Sequence, residues 1–122
     1  MTDDWEFERQ NGSWKKNWHT RDGQWLKLIV IGDADYLSSP SNLEQLRTVT
    51  EALDDDLDRA SIFAWNSVYR DDISLAGGLD SSSVVIKSRD DLTVWFNLQN
   101  SHRMVGVRIQ GDESLSVYCD NP

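Results

Sequence analysis

The sequence contains one cysteine, two prolines and two histidines among 122 residues, and these scarcities exclude several classes of protein. A lone cysteine, Cys119, allows no intramolecular disulfide, which is typical of a reducing compartment. The longest apolar run, residues 28–31, is far shorter than the roughly 20 residues that a membrane helix needs. The first residues offer neither a basic n-region nor an apolar h-region. We therefore expect no secretory signal and no membrane span, and a cytoplasmic location.

Positive charge is scarce as well, because 12 lysines and arginines stand against 21 aspartates and glutamates, which gives a formal net charge of -9. Nonspecific binding to nucleic acids or to anionic membranes requires a basic surface. We therefore expect neither of these as a direct partner. Charged residues make up 27% and hydrophobic residues 39%, which is typical of a folded globular domain, and the length fits one domain over 1–122.

Catalytic motifs are also missing. His19 and His102 lie in no recognised motif, and Cys119 has no neighbouring base in the sequence. We therefore expect no catalytic residue and no enzyme activity. A small enzyme that uses aspartate and glutamate as acid and base stays open as a third class.

One stretch resembles a calcium-binding loop but departs from its pattern. Asp33 and Asp35 begin it, yet Leu37 stands at position five and Ser38 replaces the glycine that position six requires. Glu44, at position twelve, is better explained as part of a helix cap. We expect neither a metal nor a cofactor.

Residues 5–31 alternate in polarity and predict a tryptophan-rich β-meander. Two turn signals, Asn11-Gly12 and Asp22-Gly23, divide this region into three strands. The third strand carries apolar residues on both faces, which indicates a central strand. We expect Trp25, on that strand, to lie in the core because tryptophan buries a large area.

Residues 41–60 change to helical spacing, with apolar residues every three or four positions. Ser41 and Glu44 form a predicted capping box directly after Pro40. The aspartates at 54, 55, 56 and 58 are unfavourable near the end of one long helix, because the helix dipole repels them there. Two explanations stay open: a break near Leu53, with an aspartate capping a short second helix, or charges retained for a partner.

Residues 61–119 return to strand spacing. We expect one strand over 62–69, a loop over 71–82, and four strands over 83–88, 92–98, 103–109 and 114–119. Short links between these strands predict antiparallel pairing. The expected fold is α+β, a curved, meander-like antiparallel sheet packed on one main amphipathic helix.

Two sets of residues are candidates for binding a partner. An acidic set lies in or beside the helix, and its convergence would attract a basic protein; it comprises Asp33, Asp35, Asp54, Asp55, Asp56, Asp58, Asp71 and Asp72. The alternative for these residues is a solvated acidic surface. An aromatic set could anchor a partner or stack on a ligand, and for its first two members core packing is the alternative; it comprises Trp14, Trp18, Trp95 and Tyr118.

The helix at 41–58, the acidic run at 54–56, the strand at 60–69 and the closing meander at 83–119 resemble the general plan of bacterial immunity proteins. These proteins neutralise toxins of contact-dependent and polymorphic systems. The resemblance implies a cytoplasmic protein that binds one cognate toxin tightly, and the acidity favours a basic, nucleic-acid-acting enzyme as that toxin. No residue role is carried over, since no motif is shared.

Two other functions fit the same sequence. A phage-encoded inhibitor of a host nuclease would be equally acidic. A sugar-binding or peptide-binding module would use the aromatic set instead of the acidic one.

Overall fold

A computed structural model describes residues 7–88, 90–111 and 114–120, and in the last range the side chains of 115–117. The elements follow one another as β1 (Glu8–Gln10), β2 (Ser13–His19), β3 (Trp25–Ile31), α1 (Pro40–Glu51), α2 (Leu53–Trp65), α3 (Arg70–Ala76), β4 (Leu79–Ser88), β5 (Asp91–Leu98), β6 (Met104–Gln110) and β7 (Ser114–Asp120). A 3₁₀ turn at Tyr36–Ser38 precedes α1.

The strands form one sheet in which the spatial order is the chain order, β1 to β7. All neighbouring strands are antiparallel except β3 and β4, which are parallel, with Lys27 opposite Ser83. The sheet is therefore mixed, and the expectation of a wholly antiparallel sheet is wrong. A parallel pair needs a long crossover, which the three helices between β3 and β4 provide.

The helices pack on one face of the sheet, and the core lies between them. From the strands this core contains Leu26, Leu28, Val30, Val84, Ile86, Leu92, Val94, Phe96, Leu98, Val105, Val107 and Ile109; from the helices it contains Leu46, Val49, Leu53, Leu57, Ala60, Ala64 and Ile73. The α+β class is thereby confirmed, with three described helices in place of the one main helix expected. We call the other side of the sheet the open face, because the described helices leave it uncovered.

The acidic run lies at the start of a second helix. α1 ends at Glu51, and α2 begins at Leu53, so residues 54–56 occupy its first turn. The helix dipole favours negative charge at that position. The prediction of a single helix over 41–60 is therefore wrong, and the break near Leu53, one of the two explanations left open, is present. No aspartate caps α2, since its N-cap is Ala52 and makes no side-chain cap.

α1 also begins earlier than the predicted capping box. The Oγ of Ser39 accepts a hydrogen bond from the backbone N–H of Asn42 at 3.3 Å, so Ser39 is the N-cap and Ser41 is already helical. Pro40 occupies the first helical position, where its fixed φ suits the helix and its missing N–H costs nothing. The cap expected at Ser41 is therefore wrong by two residues.

The strand expected over 62–69 is helical instead. α2 continues to Trp65 because the buried residues Leu57, Ala60 and Ala64 extend the helical spacing past the acidic run. Tertiary packing of this face overrides the strand propensity of the aromatic and β-branched residues that follow. Ile62 points away from the core, with 62% of its surface exposed.

The loop expected over 71–82 contains α3 and the start of β4. Ile73 anchors α3 in the core. Gly77 ends this helix with φ of +100°, and the N–H of Gly78 donates to the carbonyl of Ile73 at 3.0 Å. This is a helix end that favours glycine, since a left-handed residue is required there.

Candidate functional site

The candidate site begins where the β2–β3 turn meets the first turns of α2. The Nη2 of Arg21 lies 3.1 Å from an Oδ of Asp58 and 3.6 Å from an Oδ of Asp55. The backbone N–H of Arg21 donates to Asp54 at 3.1 Å. These side chains are largely exposed, so the cluster is a surface feature. Arg21 holds the three carboxylates on one side of α2.

The N-terminal turn of α3 lies at the same end of the sheet. Because β3 and β4 are parallel, β4 begins beside the start of β3. Leu79, the first residue of β4, pairs with Leu98 at the end of β5. The β5–β6 turn is therefore at this end too. From that turn Arg103 reaches an Oδ of Asp72 at 3.6 Å, and Gln99 donates to Asp80 at 3.0 Å.

The result is a concentration of carboxylates that we call the acidic end. Its members are Asp22, Asp54, Asp55, Asp58, Asp71, Asp72 and Asp80, against the cations Arg21, Arg70 and Arg103. Carboxylates thus outnumber arginines by seven to three among the described residues there. The potential at this end favours a cationic group.

A groove of about 150 Å³ opens within the acidic end. Asp54, Asp58 and Ser61 of α2 line one wall, and the turn residues 20–24 line another. Phe96 and Leu57 contribute apolar surface to it. A groove lined by carboxylates, with a smaller apolar part, can accept the charged head and the end of the stem of a lysine or arginine.

The structure does not bring the whole predicted acidic set together. Asp56 points to the other side of α2, where an Oδ accepts from the Nη1 of Arg59 at 3.2 Å. Asp33 and Asp35 follow the last residue of β3, so they lie at the opposite end of that strand from the acidic end. Asp33 accepts the backbone N–H of Asp35 at 3.1 Å, which stabilises a local turn.

The first two members of the aromatic set face the helices. Trp14 and Trp18 are half-buried against the core, on the side of β2 that pairs with Val30 and Leu26. The indole N–H of Trp14 donates to the carbonyl of Asp33 at 3.0 Å, and Arg9 lies 5.3 Å from the centre of its ring. Their contacts support core packing over ligand stacking.

Trp95 and Trp25 lie on the open face. Trp95 is half-buried over Gly106, where an added Cβ would come within 2.8 Å of the indole ring. Trp25 is 66% exposed, so the expectation that it lies in the core is wrong. Its ring centre is 4.6 Å from that of His19. The backbone of Tyr118, in β7, pairs with that of Gly106 in β6, while the side chain of Tyr118 lies outside the described part of the structure.

Sequence reasoning missed the acidic end's arginine and the exposed tryptophan. Arg21 and Asp58 are 37 positions apart, and no local pattern marks their contact. The apolar residues on both faces of β3 predict a core position for Trp25. The helices cover only the face that carries Leu26 and Leu28, which the strand's own pattern does not reveal.

The described residues show few features of acid–base or metal chemistry. They contain no group of three or more histidines, cysteines, aspartates or glutamates placed to bind a metal ion. The guanidinium of Arg108 lowers the pKa of Asp91 by hydrogen bonding, and burial raises the pKa of the Tyr36 phenol. Neither group belongs to the acidic end.

No helix in the described part of the chain combines the length and apolar character needed to cross a bilayer. Comparison with protein-family models, with curated proteins and with solved structures finds no match.

Proposed function

We propose that this protein is an inhibitor that binds a basic surface of another protein through its acidic end. In this proposal it is a cytoplasmic immunity protein, and its partner is a cognate bacterial toxin that acts on nucleic acids. The observation that supports it is the convergence of carboxylates from a strand turn, two helices and a strand onto one end of the sheet.

The positive charge of such a partner complements the negative charge of the acidic end. An enzyme that binds phosphates presents lysines and arginines, and these are the groups that the acidic end attracts. Long-range attraction raises the rate of association, typically without adding equally to affinity. The groove beside Asp54 and Asp58 would then receive one cationic side chain in a desolvated contact.

Arg21 has a defined part in this proposal. Its guanidinium neutralises part of the cluster in the free protein and holds Asp55 and Asp58 in place. Holding the carboxylates before the partner arrives reduces the entropy lost on binding. Since the pairs are exposed, they cost little to exchange for pairs with the partner.

The test uses the product of the gene adjacent to this one as the candidate toxin. We expect a basic enzyme that degrades nucleic acid and is inhibited by an equal amount of this protein. The variant Asp54→Asn/Asp55→Asn/Asp58→Asn should slow association by about tenfold or more at low salt, with less difference at high salt. Stopped-flow fluorescence measures the rate.

The matched control is Asp35→Asn/Glu44→Gln/Glu51→Gln, which removes the same charge from exposed positions elsewhere. It should slow association much less. Equal slowing by both triple variants would show that only net charge matters, and the acidic end would not be the docking surface. An adjacent product that is not inhibited would contradict the immunity function itself.

A phage-encoded inhibitor of a host nuclease would use the same surface, and the same rate measurements against a nuclease of the host apply to it. The ligand-binding alternative now depends on Trp95 and Trp25, because Trp14 and Trp18 pack towards the helices.

A further inference from the structure

The positive charges of the chain differ in their surroundings. Among the described residues five arginines form ion pairs with carboxylates; they are Arg21, Arg47, Arg59, Arg103 and Arg108. The chain has four lysines, and none of them belongs to an ion pair within the described residues. The lysines are therefore cations without a carboxylate partner among the described residues. The same holds for Arg70 and for Arg9, which donates to the carbonyl of Gly32 and lies over the Trp14 ring.

Three of these four lysines lie along β3 on the open face. Lys27 is on β3 itself, opposite Asn17, and Lys15 is its diagonal neighbour on β2, about 7 Å away between Cβ atoms. Lys87 lies at the end of β4, close enough for its charge to lower the pKa of Asp91 on the same face. The fourth, Lys16, pairs with Leu28 and points to the other side of β2.

The same strand carries the exposed apolar residues of this face. Trp25 begins β3 with 66% of its surface exposed, and Ile31 ends it with 45% exposed. Trp25 lies two residues from Lys27, on the same face of β3. We call the row of Trp25, Lys27, Lys15, Ile29, Ile31 and Lys87 the β3 track; its length is about 20 Å.

We propose that the β3 track binds single-stranded nucleic acid, with a base stacked on Trp25 and phosphates contacting Lys15, Lys27 and Lys87. An exposed aromatic ring combined with unpaired lysines on an uncovered sheet is the chemistry that single strands require. The lysines attract the phosphates, and the tryptophan ring can stack on any of the bases. His19 supports the ring from the adjacent strand.

The net charge of -9 opposes this binding less than it would if the charges were evenly mixed. The carboxylates of the helices lie on the other side of the sheet, whereas the lysines would touch the phosphates. At 0.1 M ionic strength the Debye length is about 10 Å, so distant charges are screened more than contacts. Two acids lie beside the track. Glu8 stands opposite Lys15, and Asp91, near Lys87, is already paired with Arg108.

The experiment measures fluorescence anisotropy of labelled oligothymidylate and oligouridylate with the whole protein, over a range of salt. We expect saturable binding that weakens with salt. Lys15→Gln/Lys27→Gln should weaken binding by about tenfold and reduce the salt slope by about 1.4, since each phosphate contact on a single strand contributes about 0.7. The matched control, Lys16→Gln/Arg47→Gln, removes the same charge away from the track and should bind like the parent.

The aromatic contact has its own variants. Trp25→Ala should weaken binding about fivefold or more, the lower end of what one stacked base contributes, while Trp25→Phe should retain it. No anisotropy change at low salt would overturn the proposal. Equal losses in the two double variants would also overturn it. So would labelled polyglutamate that binds as tightly as the oligonucleotides, together with no effect of Trp25→Ala. This test uses no toxin, so its failure leaves the proposed inhibition standing, and the reverse also holds.

Discussion

At the scale of single residues, Asp91 and Arg108 form the best-defined ion pair of the open face. Two parallel contacts join them, at 3.0 Å from Nε and 2.8 Å from Nη2. This two-point geometry adds direction to the attraction. Arg108 thereby lowers the pKa of the Asp91 carboxyl, first through these hydrogen bonds and then through its charge, with Lys87 adding to the effect.

The direction of this shift predicts how stability depends on pH. Because the folded-state pKa lies below the ordinary 3.8, the stabilisation is complete above that value and is lost as the pH falls through the folded-state pKa. Asp91→Asn should cost about 0.5–1 kcal/mol at neutral pH, and the difference from the parent should shrink below pH 3.8. Urea unfolding at several pH values measures it.

Asp35→Asn is the control for that series, because Asp35 is exposed and belongs to no described ion pair. It should show little difference from the parent at any pH. A difference for Asp91→Asn that stays constant down to strongly acidic pH would mean that the pair does not act through the charge of Asp91.

At the scale of elements, α1 is held to the sheet by Leu46, which is 1% exposed. Leu46→Ala should reduce the free energy of unfolding by about 2–5 kcal/mol, because removing a buried leucine side chain leaves a cavity. The matched control is Leu75→Ala on α3, where the leucine is 88% exposed and the change should stay within about 0.5 kcal/mol. Equal effects of the two substitutions would show that α1 does not pack as described.

The sequence predicts those elements whose signals are local. Asn11-Gly12 gives the first hairpin, with φ of +51° and +81°, and the closing strands follow from their alternation. The electrostatics of the aspartates at 54–58 indicate a break near Leu53 as one of two explanations, and the structure has that break. These features depend on residues that are neighbours in the chain.

The elements that sequence reasoning missed depend on distant contacts. The parallel pairing of β3 with β4 joins Lys27 to Ser83, and no nearby residue specifies it. α2 extends through Ala60 and Ala64 because both are buried under the sheet. The acidic end shows the same limit: its carboxylates are recognisable one by one in the sequence, but their grouping depends on which strand ends meet.

At the scale of the whole molecule, charge is divided between the two sides of the sheet. The helices and the acidic end carry most of the described carboxylates, and the open face carries three lysines. The arrangement gives the molecule a dipole as well as its net charge of -9. The two proposals therefore use different residues, and their surfaces adjoin where the turn at 20–24 leads into Trp25.

The same distribution predicts how salt affects stability. Most of the described ion pairs are exposed or half-exposed and contribute little each. The excess of carboxylates repels itself in the compact state. Screening should therefore weaken repulsion more than attraction, and the melting temperature at neutral pH should rise as sodium chloride is added up to about 0.1 M, where the Debye length is about 10 Å.

Potassium chloride should give the same rise, because screening depends on ionic strength and not on the identity of the cation. Calorimetry in the two salts measures it. A falling melting temperature would show that the internal pairs around Arg21 and Arg59 outweigh the repulsion, and the acidic end would then be a structural cluster with little excess charge to offer a partner.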